Sequence, residues 1–344
     1  MTQNGKKPKT DIGRAASGQP TLKDIAFMTG LAVTTVSRAL KDAPDISTAT
    51  KQRVRLVADQ IGYRPNRAGV RLRTGKTNVI ALVISIEIES MGLTPYMVMG
   101  LSDVLKNTAY HLILTPYDSK DDDPLDPVRY VVETGSADAI IISRTQPDDP
   151  RIRYLTDRNF HFATHGRSDM GIEHAYHDFD NNVFAAVGVR RLVDLGRSRL
   201  ALLAPPMELS YSRHMMEGFV TEVDKLDLTE VSLRGLHIDL EFDDIRDGIA
   251  RLMKSRNRPD GLICGGSEAV LAAVAGIEAA GLTVGKDIDV VGKEAFGMLQ
   301  KFRPAISVVQ EDFREAGRKL AEAVIAQING EPADAFQSME VPEA

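Results

Sequence analysis

The chain is 344 residues long, 43% hydrophobic and 26% charged, with a formal net charge of −6, one cysteine and no tryptophan. That length exceeds one ordinary domain and suits two or three. The single Cys264 excludes an internal disulfide, and no stretch has signal-peptide character or the roughly 18 apolar residues of a membrane helix, so a cytoplasmic protein is expected.

The net charge conceals an asymmetry. Residues 1–77 hold 15 Lys and Arg against 5 Asp and Glu, whereas the remainder holds 27 against 43. A basic head on an acidic body points to a polyanion partner at one end only.

Residues 1–19 are rich in Lys, Gly, Ser and Pro without periodicity, and a disordered basic arm is expected there. The next segment, TLKDIAFMTGLAVTTVSRAL (21–40), reads as two short helices joined by a glycine turn. Thr21 starts the first, with Asp24 three positions on as a capping-box partner. Leu22, Ile25 and Ala26 share one face, and Gly30 supplies a positive φ. In the second helix, residues 32–40, Val36, Ala39 and Leu40 point inward, leaving Val33, Thr34, Ser37 and Arg38 outward. Ser47 can cap a third helix whose Val54, Val57, Ala58 and Ile61 fall at helical spacing, and Gly62 ends it. Residues 20–65 thus have the form of a helix-turn-helix DNA-binding domain, which lays its second helix in the major groove.

A basic connector, YRPNRAGVRLRTGKTN (63–78), follows. Beyond it buried strands alternate with amphipathic helices. VIALVISI (79–86), HLILT (111–115), AIIIS (139–143) and FHFAT (160–164) form a first strand set, with a helix around 95–109. The second set begins with a helix at 182–195. It continues through LALLA (200–204), a helix near 210–225, GLICG (261–265), a helix at 267–280 and IDVVG (288–292). Repeated βα units imply parallel sheets, and two sets imply two lobes with a ligand cleft at the carboxyl ends of the strands. The expected fold class is α/β: a three-helix head plus a two-lobed sensor.

Several tempting motifs are set aside. EHAYHDFD (173–180) offers His174, His177 and Asp178, but the spacing is poor for a metal and the stretch reads as the lead-in to the second lobe. GLTVGKD (281–287) is one residue short of a phosphate loop and has Asp287 in place of Ser or Thr. DSKDDDPLD (118–126) lacks EF-hand spacing. Cys264 lies in an apolar run and reads as a core residue. No catalytic triad has a recognisable frame, and no metal or cofactor is expected.

Taken together, TVSR within residues 21–40, then IGYRPN, then RTGKTN leading into the first strand resemble the LacI (lactose-repressor) family of bacterial transcription regulators. Softer matches follow in TPY (94–96), HGR (165–167), DFDN (178–181), DIDVVG (287–292) and QEDFREAG (310–317). The resemblance implies a homodimer on a pseudo-palindromic operator. It also implies a periplasmic-binding-protein-like sensor, commonly for a sugar or sugar derivative, over residues 79–344, which also dimerise the chain. By this resemblance Val33, Thr34 and Arg38 face base edges, while Thr35 and Ser37 suit phosphates and Thr21 counts among the DNA-binding residues. Residues 66–78 become a hinge helix and linker, with Asn66 and Arg67 as groove or phosphate contacts and Leu72 as a minor-groove wedge. In the sensor it marks Tyr96, Arg167, Asp180, Tyr211, Arg213, Ser267, Lys293 and Glu294 as effector-binding.

The departures from the family pattern are Ala32 for a serine at the start of the second helix, Gly69 and Val70 in the hinge, and Met215, Gly266-Ser267, Lys293 and Glu294 in the sensor. Lys293 and Arg213 would suit an anionic or oxidised sugar. A sugar-processing α/β enzyme with an accessory DNA-binding head would need a catalytic or phosphate-loop motif. A periplasmic solute-binding protein would need a signal peptide and would have no use for the basic head.

Overall fold

The computed structural model describes residues 20–64, 75–85, 93–118, 123–295 and 297–343. The chain divides into two compact units, Met1–Thr77 and Asn78–Ala344. The arm expected over 1–19 and most of the hinge expected over 66–78 lie outside the described residues.

The first unit contains α1 (Leu22–Thr29), α2 (Val33–Leu40) and α3 (Thr48–Gln60). Its core is Ile25, Ala26, Val36, Ala39, Val54 and Ala58, with Leu22, Leu31, Leu40, Val57 and Ile61 packed around them. Thr21 donates both its amide (2.7 Å) and its hydroxyl (2.8 Å) to Asp24, fixing the start of α1. Gly30 ends that helix at φ +67, a conformation that costs glycine nothing and other residues a strained backbone.

In the second unit the chain runs β1 (Val79–Ser85), α4 (Leu93–Leu105), β2 (His111–Tyr117), α5 (Leu125–Thr134), β3 (Ala139–Ile142), α6 (Pro150–Asp157), β4 (His161–His165) and β5 (Ala175–Phe179). It then crosses into α7 (Asn181–Asp194), β6 (Arg199–Leu203), α8 (Ser210–Lys225), β7 (Thr229–Glu230), α9 (Phe242–Met253), β8 (Gly261–Cys264), α10 (Ser267–Ala279), β9 (Asp289–Glu294), α11 (Leu299–Phe302) and β10 (Ile306–Gln310). It returns through α12 (Phe313–Ile328) and β11 (Gln337–Glu340). Lobe 1 is the six-stranded sheet β11-β5-β4-β3-β1-β2; lobe 2 is the five-stranded sheet β10-β9-β8-β6-β7. Every pairing is parallel.

Helices on both faces explain why the central strands are continuously apolar. Along β1, Ile80, Leu82 and Ile84 pack with α4 and α12, while Val79, Ala81 and Val83 pack with α5 and α6 on the other side. Lobe 2 repeats this arrangement: Leu200, Leu202 and Ile263 face α7 and α8, and Ala201, Leu203, Leu262 and Cys264 face α9 and α10. Cys264 is fully buried, and burial pushes its thiol pKa up. Two glycines let α4 and α12 meet backbone to backbone: a Cβ on Gly100 would lie 2.0 Å from the Arg314 carbonyl oxygen, and one on Gly317 would lie 2.2 Å from that of Met97.

Strands β5, β7, β10 and β11 go beyond the strands expected from apolar runs. The stretch read as the lead-in to the second lobe is β5, a strand of lobe 1, and the crossing comes at Asp180–Asn181. The second crossing is at Glu311–Asp312. Glu340, at the end of β11, ties the two together: its carbonyl accepts from Asp180 N at 2.8 Å and its carboxylate from Asp312 N at 3.1 Å.

Candidate functional site

In the head, Val33, Thr34 and Arg38 are exposed on α2, and Thr35 and Ser37 are half-buried. The Arg38 guanidinium is paired with Asp45 in the loop after α2, and both side chains are solvent-accessible. Ala32 occupies the N-cap of α2 at φ −64, ψ 146 and offers no side-chain acceptor. Ser47 caps α3 by accepting from Thr50 N at 3.3 Å. Thr21, besides its bonds to Asp24, is half-buried. Asn66, Arg67 and Leu72 lie outside the described residues.

The second unit contains a cleft between its lobes, at the carboxyl ends of the strands. Among the residues expected to bind effector, Tyr211, Ser267 and Lys293 line it. Ser267 begins α10 and donates to the Lys293 carbonyl at 3.2 Å. Lys293 Nζ lies 2.6 Å from Glu311 Oε2, donates to Asn181 Oδ1 at 3.2 Å and sits 4.9 Å above the Phe179 ring. His165 Nε2 stands 3.2 Å from the other Glu311 oxygen. Burial alone would raise the Glu311 pKa; the adjacent Lys293 and His165 outweigh it and hold the carboxyl at about 2. The chain His165–Glu311–Lys293 therefore links lobe 1 to lobe 2 through the second crossing.

The remaining expected residues do not line the cleft. Tyr96 packs on the lobe 1 core. Arg167 stands behind the wall, its Nε 2.9 Å from Asp178 Oδ2. Asp180 caps α7, accepting from Val183 N at 3.0 Å. Arg213 is exposed, with its Nε 3.5 Å from the Met207 carbonyl. Glu294 is buried and accepts from Leu299 N at 2.8 Å and from Met298 N.

Sequence reasoning passed over Arg144, His165, Asp178, Asn181, Asp239 and Glu311, all of which line the cleft. His165 stood inside HGR, Asp178 and Asn181 inside DFDN, and Glu311 inside QEDFREAG, so a signal for them was present. Asp178 also stood in the set-aside histidine stretch. Its carboxyl is buried, and burial raises its pKa while Arg167 pulls the other way. Nothing local marked Arg144 or Asp239. Arg144 Nη1 donates to the Tyr211 hydroxyl at 3.0 Å and Nη2 bonds to the Asp239 carboxylate. His174 stacks on Phe162 and His177 bonds to the Ser338 hydroxyl at 2.9 Å, and no cluster of metal-ligating side chains occurs among the described residues.

Comparison with known proteins bears on both units. A family profile described as "Bacterial regulatory proteins, lacI family" matches residues 21–66, and one described as "Periplasmic binding protein-like domain" matches residues 189–343. The HTH-type transcriptional regulator AglR of Rhizobium meliloti (strain 1021) is 31% identical over 89% of this chain and 87% of its own. Among solved structures, a lac repressor dimer bound to operator and the anti-inducer ONPF has a TM-score of 0.81 at 19% identity, covering 94% of this chain and 97% of that one. The transcriptional regulator CelR in complex with cellobiose has a TM-score of 0.66 at 20% identity, covering 94% and 98%. A helix-turn-helix head and a cleft-bearing α/β sensor in one chain define a DNA-binding transcriptional regulator rather than an enzyme. The chain belongs to the LacI family. Among the described residues no helix is long and apolar enough to cross a membrane.

Proposed function

We propose that this regulator works in the cytoplasm as a homodimer on a pseudo-palindromic operator, and that a neutral polyol, a sugar or glycoside, sets its operator affinity from the cleft. Val33, Thr34 and Arg38 read base edges. Thr35 and Ser37 contact the phosphate backbone, Thr21 adds a further DNA contact, Asn66 and Arg67 contact phosphates or a groove, and Leu72 wedges the minor groove. The charge of the cleft carries the reading of the effector. Its lining holds two permanent cations, Arg144 and Lys293, against four carboxylates, Asp178, Asp239, Glu268 and Glu311. Each cation is already paired with a carboxylate, Arg144 with Asp239 and Lys293 with Glu311. An anionic sugar would meet two cations that are already neutralised, and Arg213 lies outside the lining, so the oxidised-sugar reading loses its support. A polyol needs acceptors and donors for hydroxyls together with an aromatic face, and Asp178, Asn181, Ser267 and Tyr211 supply them. The CelR–cellobiose complex shows a neutral sugar held by a regulator of similar fold.

The test is a calorimetric titration of the full-length protein with galactose, sucrose and cellobiose against glucuronate, followed by an operator mobility shift at saturating sugar. A neutral sugar should bind at least about tenfold more tightly than glucuronate and change operator affinity by about five- to 150-fold. Tighter binding of glucuronate, or an operator affinity indifferent to every bound sugar, overturns the reading.

A further inference from the structure

The loop that follows β3 combines a strained backbone with a fully buried ion pair. Arg144 sits at φ +55, in the left-handed region that residues other than glycine seldom occupy. Its carbonyl accepts from Arg151 Nη2 at 3.0 Å. Arg151 is buried on α6 and is locked to Asp149 by Nη2–Oδ2 at 2.7 Å and Nε–Oδ1 at 3.0 Å. Asp149 also accepts from Gln146 N at 3.0 Å and Arg151 N at 2.9 Å, so both ions are spent on fixing this loop. Burying two ions is costly unless they fix something specific.

What they fix is a direction. The Arg144 side chain leaves lobe 1 and crosses the cleft to Asp239 and Tyr211 in lobe 2. The ion pair is largely buried, its side chains 14% and 8% exposed. Beside it a backbone bond crosses the same seam, from Ser210 N to Thr145 O at 2.9 Å. Asp239 lines the cavity, and its second oxygen, Oδ1, is buried without a hydrogen-bond partner. A buried acceptor left in that state is costly until something donates to it.

We infer that Arg144, Asp239 and Tyr211 form a clasp between the lobes, aimed by the Arg151–Asp149 pair, and that Asp239 Oδ1 accepts an effector hydroxyl. The clasp holds the lobes together before any sugar arrives. The hydroxyl contact rests on the effector reading above; the clasp does not. Binding at Asp239 completes the carboxylate that Arg144 already grips, so the group that recognises the sugar is also the one that sets lobe closure. Arg151 and Asp149 are positioning residues that act only through Arg144.

Ser210 provides the readout, because a first-turn helix amide has no partner within its own helix and here its partner lies in the opposite lobe. Hydrogen exchange at Ser210 is followed in the sugar-free full-length protein. Arg144→Gln and Asp239→Asn should each speed it by about tenfold or more, with no further gain in the double variant. Exchange in β1 and β8, which follows global unfolding, should speed by less than exchange at Ser210. Arg151→Gln should speed exchange at Ser210 in the wild-type background and leave it unaltered in the Arg144→Gln background. An equal effect in both backgrounds would make Arg151 merely structural. Unchanged Ser210 exchange in Arg144→Gln overturns the clasp, whatever the sugars do. In a separate arm, Asp239→Asn should weaken the tightest neutral sugar of the panel by about tenfold or more. Undiminished affinity removes the hydroxyl role, as does failure of every neutral sugar to bind the wild type.

Discussion

In the head, Arg38 and Asp45 pair in solvent, Lys51 and Arg55 share Asp42 on the surface, and the buried core is apolar except for Thr29. In the sensor, Lys293–Glu311, Arg151–Asp149 and Arg144–Asp239 are withdrawn from water into the body of the fold. Exposed pairs contribute about 0–1 kcal/mol, so the head can exchange Asp45 for a phosphate or a base at little cost. A buried pair that loses one member leaves an uncompensated charge, so the sensor's geometry depends on its partners staying together. Substitutions of charged groups should therefore register as lost DNA affinity in the head and as lost stability in the sensor.

The most severe test of that contrast is Glu311→Gln. Lys293 would be left without its carboxylate in a site that is 11% exposed, and the sensor should lose about 3–5 kcal/mol in calorimetric unfolding. Adding Lys293→Met should restore much of this, because removing both ions also removes the desolvation penalty. A single variant as stable as wild type would erase the distinction between the two units.

Next in size is a pH dependence of the sensor between pH 7 and pH 5. Burial lowers the His177 imidazole to about 4, with His165 and Lys319 acting in the same direction and Glu311 and Glu315 opposing them. Above about pH 6.5 the ring is neutral in both folded and unfolded chains. Between about 6.5 and 4 only the unfolded chain takes up the proton, so stability falls with pH by at most about 1.4 kcal/mol per unit. Asp178 acts in the opposite sense. Its raised carboxyl pKa lets the folded chain bind a proton first as the solution turns acid. Melting temperatures at pH 7 and pH 5 should differ less in His177→Gln than in wild type; an identical difference rules His177 out as the source.

The same contrast explains what the sequence made legible. The head's structure is local: Asp24 sits three residues after Thr21, Gly30 marks the turn, and the core residues recur at helical spacing. Cleft side chains depend on phase and on distant partners. Glu294 and Lys293 are neighbours on β9, and alternate strand residues face opposite ways, so Lys293 enters the cleft while Glu294 turns to the amides of α11. Asp180 is used up as the cap of α7, and Asn181, one position on, faces the ligand space. Tyr211 and Arg213 are two residues apart on α8, roughly 200° around the helix, and only the first lines the cavity. Arg144 was beyond local reading, because its partner is 95 residues away and its direction comes from a positive φ pinned by Arg151.

On the head side, Arg38→Ala should cost about 1–3 kcal/mol at the cognate operator and blur its sequence preference. Because the Arg38–Asp45 pair is exposed, the head's melting should move by less than about 0.5 kcal/mol. Mobility shifts on cognate and scrambled duplexes, with thermal melts of the same samples, separate these effects. A large stability loss with unchanged base preference would give Arg38 a structural role and reverse the contrast.

The smallest expected effect is a gain. Ala32 holds the extended backbone of an N-cap, is exposed, and leaves the first amides of α2 without a side-chain acceptor. Ala32→Ser keeps that backbone and adds one hydroxyl, as Ser47 does at the start of α3. The head should gain about 1 kcal/mol, visible as a higher head transition, while the sensor transition stays in place. Because the core and the outward face of α2 are untouched, base preference should be preserved. An Ala32→Ser variant that melts with wild type would mean that the α2 amides are already satisfied, and that packing of Val36 and Ala39 alone sets where this helix begins.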